Sequence, residues 1–413
     1  MGHPAFLLWS LALAAGLLLS TTVSLPFNLL LVLAVSLFVM VLVAHWRGHS
    51  VVFQVLVCMF FFLVGMLRAN GGDLQLLPEC VRVWSAHLSA LAQARLELLF
   101  GDSGTGAIVK AMLLGKRAGL SQEVRQLYAA TGAAHVLALS GLHLSILFAL
   151  LNYWMMRMLT HRVMRCILGF SGLFLVWGYA LLTGFSPSLT RAAVMMSLIL
   201  LSQMRLCGTN GWHALGVAAM LMLLATPSSL WSVGFQLSFT AVAGLLLFYG
   251  PLQGLWKARN KVVRWLWRGW AASLAAQLGS LPLSVYYFHY VAIYGILFSP
   301  LYLLGAVLIL YAALAAIVFG GWTTVAVTVV VSAQHALMSF ASVLPGAQWS
   351  GLYPSATSVL LGYVALSCMA PVMQGIGESD TEVPRQRLAM VVRQWPYIVA
   401  AAVCLLFAYV AQH

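Results

Sequence analysis

The residues with chemical potential in this 413-residue chain lie inside apolar runs rather than in polar loops. The richest stretch runs from Gly132 to Ser145 and reads Gly-Ala-Ala-His-Val-Leu-Ala-Leu-Ser-Gly-Leu-His-Leu-Ser. On a helix, Ser140 and His143 stand three apart and share a face, while His135 and His143 are eight apart, near two turns. Polar groups are costly in hydrocarbon and normally face a bundle interior or an aqueous path. The pair Ser140-Gly141 also lets a neighbouring helix approach closely. Spacing alone leaves two readings open: the lining of a polar path, or a packing motif with two satisfied histidines. A third chemistry, hydrolysis with Ser140 as nucleophile and His143 or His135 as base, has its residues within reach. It lacks an oxyanion-hole signature and a third orienting group.

A second stretch is Gly184-Phe-Ser-Pro-Ser-Leu-Thr-Arg-Ala192. Pro187 interrupts the apolar run, Ser188 is placed to cap the next segment, and Arg191 falls in the first turn of that segment. Such an arginine either snorkels to the outer surface or points inward, where its planar fork suits a phosphate. A third stretch places Gln236 and Ser238 inside an apolar run, where they are expected to bond neighbouring helices. A fourth, Gln277-Leu-Gly-Ser-Leu-Pro282, leads to Tyr286, Tyr287, Phe288 and His289. Pro282 frees a backbone carbonyl and is expected to break its helix, as in membrane helices that line cavities. The loop from Lys257 to Arg268 mixes basic residues with Trp265 and Trp267 and reads as a cytoplasmic anchor.

The elements that must position these residues follow from composition. The chain is 62% hydrophobic and 7% charged, with a mean hydropathy of +0.97. Soluble domains carry about 25% charged residues, so a water-soluble fold is excluded. Apolar blocks of spanning length predict an all-α polytopic bundle of about 11–13 spans. They lie near 5–23, 27–45, 51–68, 135–156, 166–184, 190–204, 212–226, 233–250, 270–288, 293–319, 322–344, 352–373 and 395–411. The formal charge of +13 fits a polyanionic substrate, but basic cytoplasmic loops explain it equally well. Loop charge orients the chain with the N-terminus cytoplasmic and the C-terminus outside. Inside loops then hold Arg157, Arg162, Lys257, Lys261 and Arg385, whereas the short loops near Leu25, Ser229 and Gln348 carry no Lys or Arg.

Four regions are expected: three spans in 1–68, an outside helical segment in 69–134, a channel-like core in 135–373, and a loop with a final span in 374–413. The second region holds five of the eight acids. Its residues Pro78 to Phe100 read as an amphipathic helix with an apolar face of Val81, Trp84, Leu88, Leu91 and Leu96. Ser121 with Glu123 reads as the start of another helix, closed by Gly132. No Asp or Glu lies in any expected span, which disfavours a carboxylate-driven transporter. There is no phosphate-binding GxxxxGK[ST] loop, no HExxH and no zinc-like spacing of the six cysteines. Neither a cofactor nor a metal is therefore expected.

Four ordered stretches carry a family resemblance: Ala134–His143, Gly184–Ala192, Val233–Phe239 and Ala276–Pro282. With the lead-in Ala111–Ser121 and the segment Ser284–His289, they resemble the ComEC competence family, in a short form similar to members from the Bacteroidota. The resemblance implies a non-enzymatic inner-membrane channel that admits single-stranded DNA during natural transformation. It implies an outside DNA receptor and a cytoplasmic motor or strand-handling protein as partners, besides membrane lipid and a possible homodimer. By motif match, His135, Ser140, Gly141, His143, Arg191, Gln236, Ser238, Gln277 and Pro282 are the channel-forming candidates. The family's outside OB-like domain has no room after the third span, and its metallo-β-lactamase-like HxHxDH signature is not present. Only the channel core is matched. A transporter of small solutes or lipid-linked molecules is the alternative.

Overall fold

The computed structural model describes residues 5–22, 26–46, 50–69, 78–101, 103–133, 137, 141, 144, 148, 162–204, 210–256, 259–320 and 322–376. His135, Ser140 and His143 lie outside the described residues, as does the expected span 395–411. The chain is an all-α membrane bundle. Every expected span within the described residues is a helix, because each is an apolar run with a polar or glycine-rich break at its ends.

Three N-terminal helices, α1 (Ala5–Leu19), α2 (Phe27–Trp46) and α3 (Ser50–Ala69), are followed by α4 (Glu79–Phe100), α5 (Gly104–Leu114) and α6 (Gln122–Ala130). Then come α7 (Arg162–Leu182), α8 (Pro187–Gln203), α9 (Gly211–Ala225), a short 3-10 turn (Pro227–Trp231), α10 (Val233–Gly254) and α11 (Lys261–Phe288). The last three helices among the described residues are α12 (Ile293–Phe319), α13 (Trp322–Val343) and α14 (Ala356–Ile376). Among the described residues, four helices are long and apolar enough to cross a membrane by themselves: Val163–Leu182, Val233–Gly254, Ile293–Phe319 and Thr323–Val343. Apolar side chains such as Phe174 (83% exposed), Val329 and Leu361 face outward. Such a surface is tolerable only in lipid.

Buried side chains form several layers between helix pairs. Leu144 and Phe148 join α7 and α8, Leu13 and Leu17 of α1 meet Leu223 and Phe235, and Phe248 of α10 meets Ala271 and Ala275 of α11. Between membrane helices the driving force is close packing rather than escape from water, so small residues mark the crossings. Gly244 and Gly279 do this for α10 and α11. A Cβ on Gly244 would stand 2.6 Å from the Gly279 Cα.

A two-stranded clip closes one end of the bundle. β1 (Tyr290–Ala292) pairs antiparallel with β2 (Gln348–Ser350), with Val291 opposite Trp349. It ties the α11–α12 connection to the α13–α14 connection. The turn at Thr131 and Gly132 packs on the same end, since a Cβ on Gly295 would meet the Thr131 carbonyl at 2.7 Å.

Three local expectations are corrected. α11 runs without a break through Pro282: its neighbours hold it on both sides of the proline, α10 at the Gly244–Gly279 crossing and α14 through the Tyr363 hydroxyl on the Gly279 carbonyl. The basic stretch expected as a loop is helical from Lys261, because the Asn260 side chain accepts the Val262 amide at 2.8 Å. In α4, Leu96 is buried, but Trp84 (66% exposed) and Leu91 face outward; the helix instead buries Ser85, whose hydroxyl donates to the Leu181 carbonyl at 2.5 Å. The start of α6 is as expected, with the Ser121 hydroxyl accepting the Val124 amide at 3.3 Å. Burial pushes the phenol of Tyr128, on this helix, up to about 12, so it stays protonated at physiological pH.

Candidate channel site

The second motif begins with a turn that the sequence makes obligatory. α7 ends in a left-handed residue, Gly184 at φ +73°, where glycine avoids a Cβ clash. The Phe185 amide donates back to Ala180 at 2.8 Å and the Gly184 amide to Leu181 at 3.3 Å, a Schellman closure. α8 then starts at Pro187 with Ser186 at its cap, so Ser188 is one residue inside the helix instead of capping it. Proline at the first helical position has no amide to leave unsatisfied.

Arg191 comes next on α8 and is 2% exposed. Helical side chains lean toward their own N-terminus, and the guanidinium reaches the start of α10. Its Nη2 donates to the Gly234 carbonyl at 2.8 Å. Its centre stands 5.6 Å from the Phe235 ring and 5.8 Å from the Phe239 ring. Of the two readings left open by the sequence, the side chain takes the inward one, between two aromatic faces. Nε and Nη1 are buried without a hydrogen-bond partner. The Ser186 hydroxyl nearby in sequence is likewise buried and unpartnered. Among the described residues the ion pairs are Arg82 with Glu79 and Lys110 with Glu97, and neither involves Arg191.

The other motifs join at this end. Gly141 packs against α8: a Cβ there would stand 2.8 Å from that of Ala192, the residue after Arg191. Gln236 is buried and bonded at both ends of its amide. It donates to the Leu230 carbonyl at 3.0 Å and accepts the Tyr287 hydroxyl at 2.6 Å. Ser238 is half-buried on the same helix. Gln277 donates to Ser273 of its own helix at 3.2 Å. The Gly279 carbonyl accepts the Tyr363 hydroxyl at 3.1 Å, which fixes α14 to α11. The four motifs thus form a linked series: Gly141 to α8, Arg191 to α10, Gln236 to α11, and Gly279 to α14.

Gly244, Tyr287, Tyr363 and the ring pair Phe235 and Phe239 were not singled out as site residues from sequence. The four-residue spacing of the two phenylalanines, which puts them on one helical face, was the available signal. A cavity of about 130 Å³ lies between α1, α9, α10, α11 and α14; its wall includes Phe235, Phe239 and Gly279 but neither Arg191 nor Gln277. No group of three His, Cys, Asp or Glu is arranged to hold a metal among the described residues.

Comparison with known proteins places the chain in a family. The sequence profile of a family described as "Competence protein" matches residues 112–375, which contain all four motifs. "ComE operon protein 3" of Bacillus subtilis (strain 168) is 36% identical over 191 residues, covering 46% of this chain and 23% of that protein. An uncharacterized protein of Aquifex aeolicus (strain VF5) is 28% identical over 229 residues, covering 55% of this chain and 50% of that protein. The chain therefore spans between about a quarter and a half of the length of these relatives. No solved structure matches.

Proposed function

The chain belongs to the competence protein family, and we propose that it forms the membrane channel core through which single-stranded DNA enters the cell during natural transformation. The observation that carries this reading is the unfinished bonding of Arg191. A guanidinium at 2% exposure with two unpartnered nitrogens, Nε and Nη1, is expensive in a membrane bundle unless an anion completes it. It sits near the N-termini of α8 and α10, where the helix dipoles favour negative charge. A phosphate of a passing strand supplies that charge, and Arg191 offers it a planar pair of donors.

Gln236, Tyr287, Gly279 and Gly141 then act as positioning residues that hold α8, α10, α11 and α14 around this point. His135, Ser140, His143, Ser238, Gln277 and Pro282 complete the candidate channel set on motif grounds, within a core spanning 135–373. The N-terminus is placed in the cytoplasm and the C-terminus outside, on the excess of Lys and Arg in the alternate loops. The chain has no nucleotide-binding loop of its own. Driving force therefore comes from a cytoplasmic motor or strand-handling protein, and an outside receptor delivers the DNA. The test is a clean deletion in the native host followed by measurement of transformation and of labelled DNA reaching the cytoplasm. Unchanged uptake ends the proposal.

A further inference from the structure

We infer that the apolar cavity between α1, α9, α10, α11 and α14 is a binding site for hydrocarbon, taken by one acyl chain of a membrane lipid. The inference stands apart from the DNA reading. The space arises from the glycine crossing itself. Gly244 and Gly279 bring the α10 and α11 backbones together and both line the cavity, so neither has a side chain to fill the volume beside it. Leu11 of α1, Leu215 and Leu223 of α9, and Leu247 of α10 form much of the remaining wall.

The chemistry of the occupant is set by how the wall uses its polar groups. Its four hydroxyls are all turned to backbone carbonyls: Ser10 to Leu7, Thr240 to Gln236, Tyr363 to Gly279, and Ser367 to Tyr363. Among the described residues, no charged side chain lines the cavity. A buried water needs two to four polar partners, and an apolar cavity of about 150 Å³ stays dry and accepts a small hydrocarbon. The volume here, about 130 Å³, is of that size. A nucleotide or polar solute would meet little beyond the Trp212 indole and the acceptor side of those hydroxyls, whereas acyl chains are the solvent of the surrounding helices. Phe235 and Phe239 belong to both the cavity wall and the aromatic pair around Arg191. A chain in the cavity therefore backs the rings that hold the guanidinium.

The full chain, reconstituted in nanodiscs with a phospholipid carrying a mid-chain diazirine, is irradiated and its peptides are mapped by mass spectrometry. Adducts are expected on cavity residues such as Leu11, Leu215 or Leu247, as well as on the outward-facing Val329 and Leu361. Ala243→Phe, which fills the cavity from α10, is expected to lower the cavity adducts at least fivefold and leave those on Val329 and Leu361 unchanged. Adducts confined to the outward-facing residues overturn the inference. So do cavity adducts that persist in Ala243→Phe at the wild-type level. If that variant is not recovered as a monodisperse protein, Ala219→Leu on α9 fills the same space and is read the same way.

Discussion

Arg68 and Arg191 both sit among apolar helices, and the structure treats them in opposite ways. Arg68, in the last turn of α3, donates from Nε to the Leu224 carbonyl at 2.7 Å and from Nη2 to the Ala225 carbonyl at 3.1 Å. Those are the closing carbonyls of α9, the negative end of its dipole, which is where a cation belongs. Arg191 has one carbonyl, at the opening of α10, and two nitrogens with nothing to bond. Arg68 completes a helix end and is explained by stability. Arg191 stands where a helix favours an anion, and on the proposed reading its open donors are completed by a passing phosphate. The same residue type therefore ties one junction shut and leaves another chemically open.

Substitutions that separate the two arginines test this contrast. Arg191→Ala is expected to lower DNA uptake about a hundredfold, the equivalent of about 3 kcal/mol in lost charge-assisted bonding. Protein level in the membrane should be retained. Arg191→Lys should recover only part of it, because an ammonium lacks the fork. Loss of the alanine variant from the membrane, with full rescue by lysine, would make Arg191 a second Arg68.

Gly279→Leu comes next. It forces a branched side chain against the Thr240 carbonyl and Gly244, and should destabilise the purified protein by about 1–3 kcal/mol or more. A thermal melt in detergent measures this. Arg68→Ala should cost about 2–3 kcal/mol of stability through the lost bonds to α9. Uptake per folded molecule should be unchanged; a fall in uptake at normal abundance would erase the distinction between the two sites. The smallest effect is expected from Tyr287→Phe, about 1 kcal/mol, since it removes only the donor to Gln236 Oε1.

Much of the frame was legible in the chain. Apolar block length located the helices, Ser121 announced the start of α6, and Pro187 marked the interruption before α8, because these are properties of a few neighbouring residues. Errors arose where a distant segment decides. Pro282 was expected to break its helix, and the packing of α10 and of Tyr363, eighty-one residues later, holds α11 across it. The apolar side chains of α4 were assigned to one face, but α7 claims Ser85 and leaves Trp84 outside.

The sequence by itself determined that the chain lives in a membrane and that four ordered polar motifs interrupt its apolar runs. It could not rank the polar residues within those motifs. Gln236 and Arg191 look alike in sequence, each a polar residue in a hydrophobic run. Only the tertiary structure decided that Gln236 meets Leu230 and Tyr287, while Arg191 meets one carbonyl and two rings. The reason is physical. Hydropathy is set by the residue and its neighbours, but whether a buried polar group is satisfied depends on what another helix, many residues away, brings within about 3 Å.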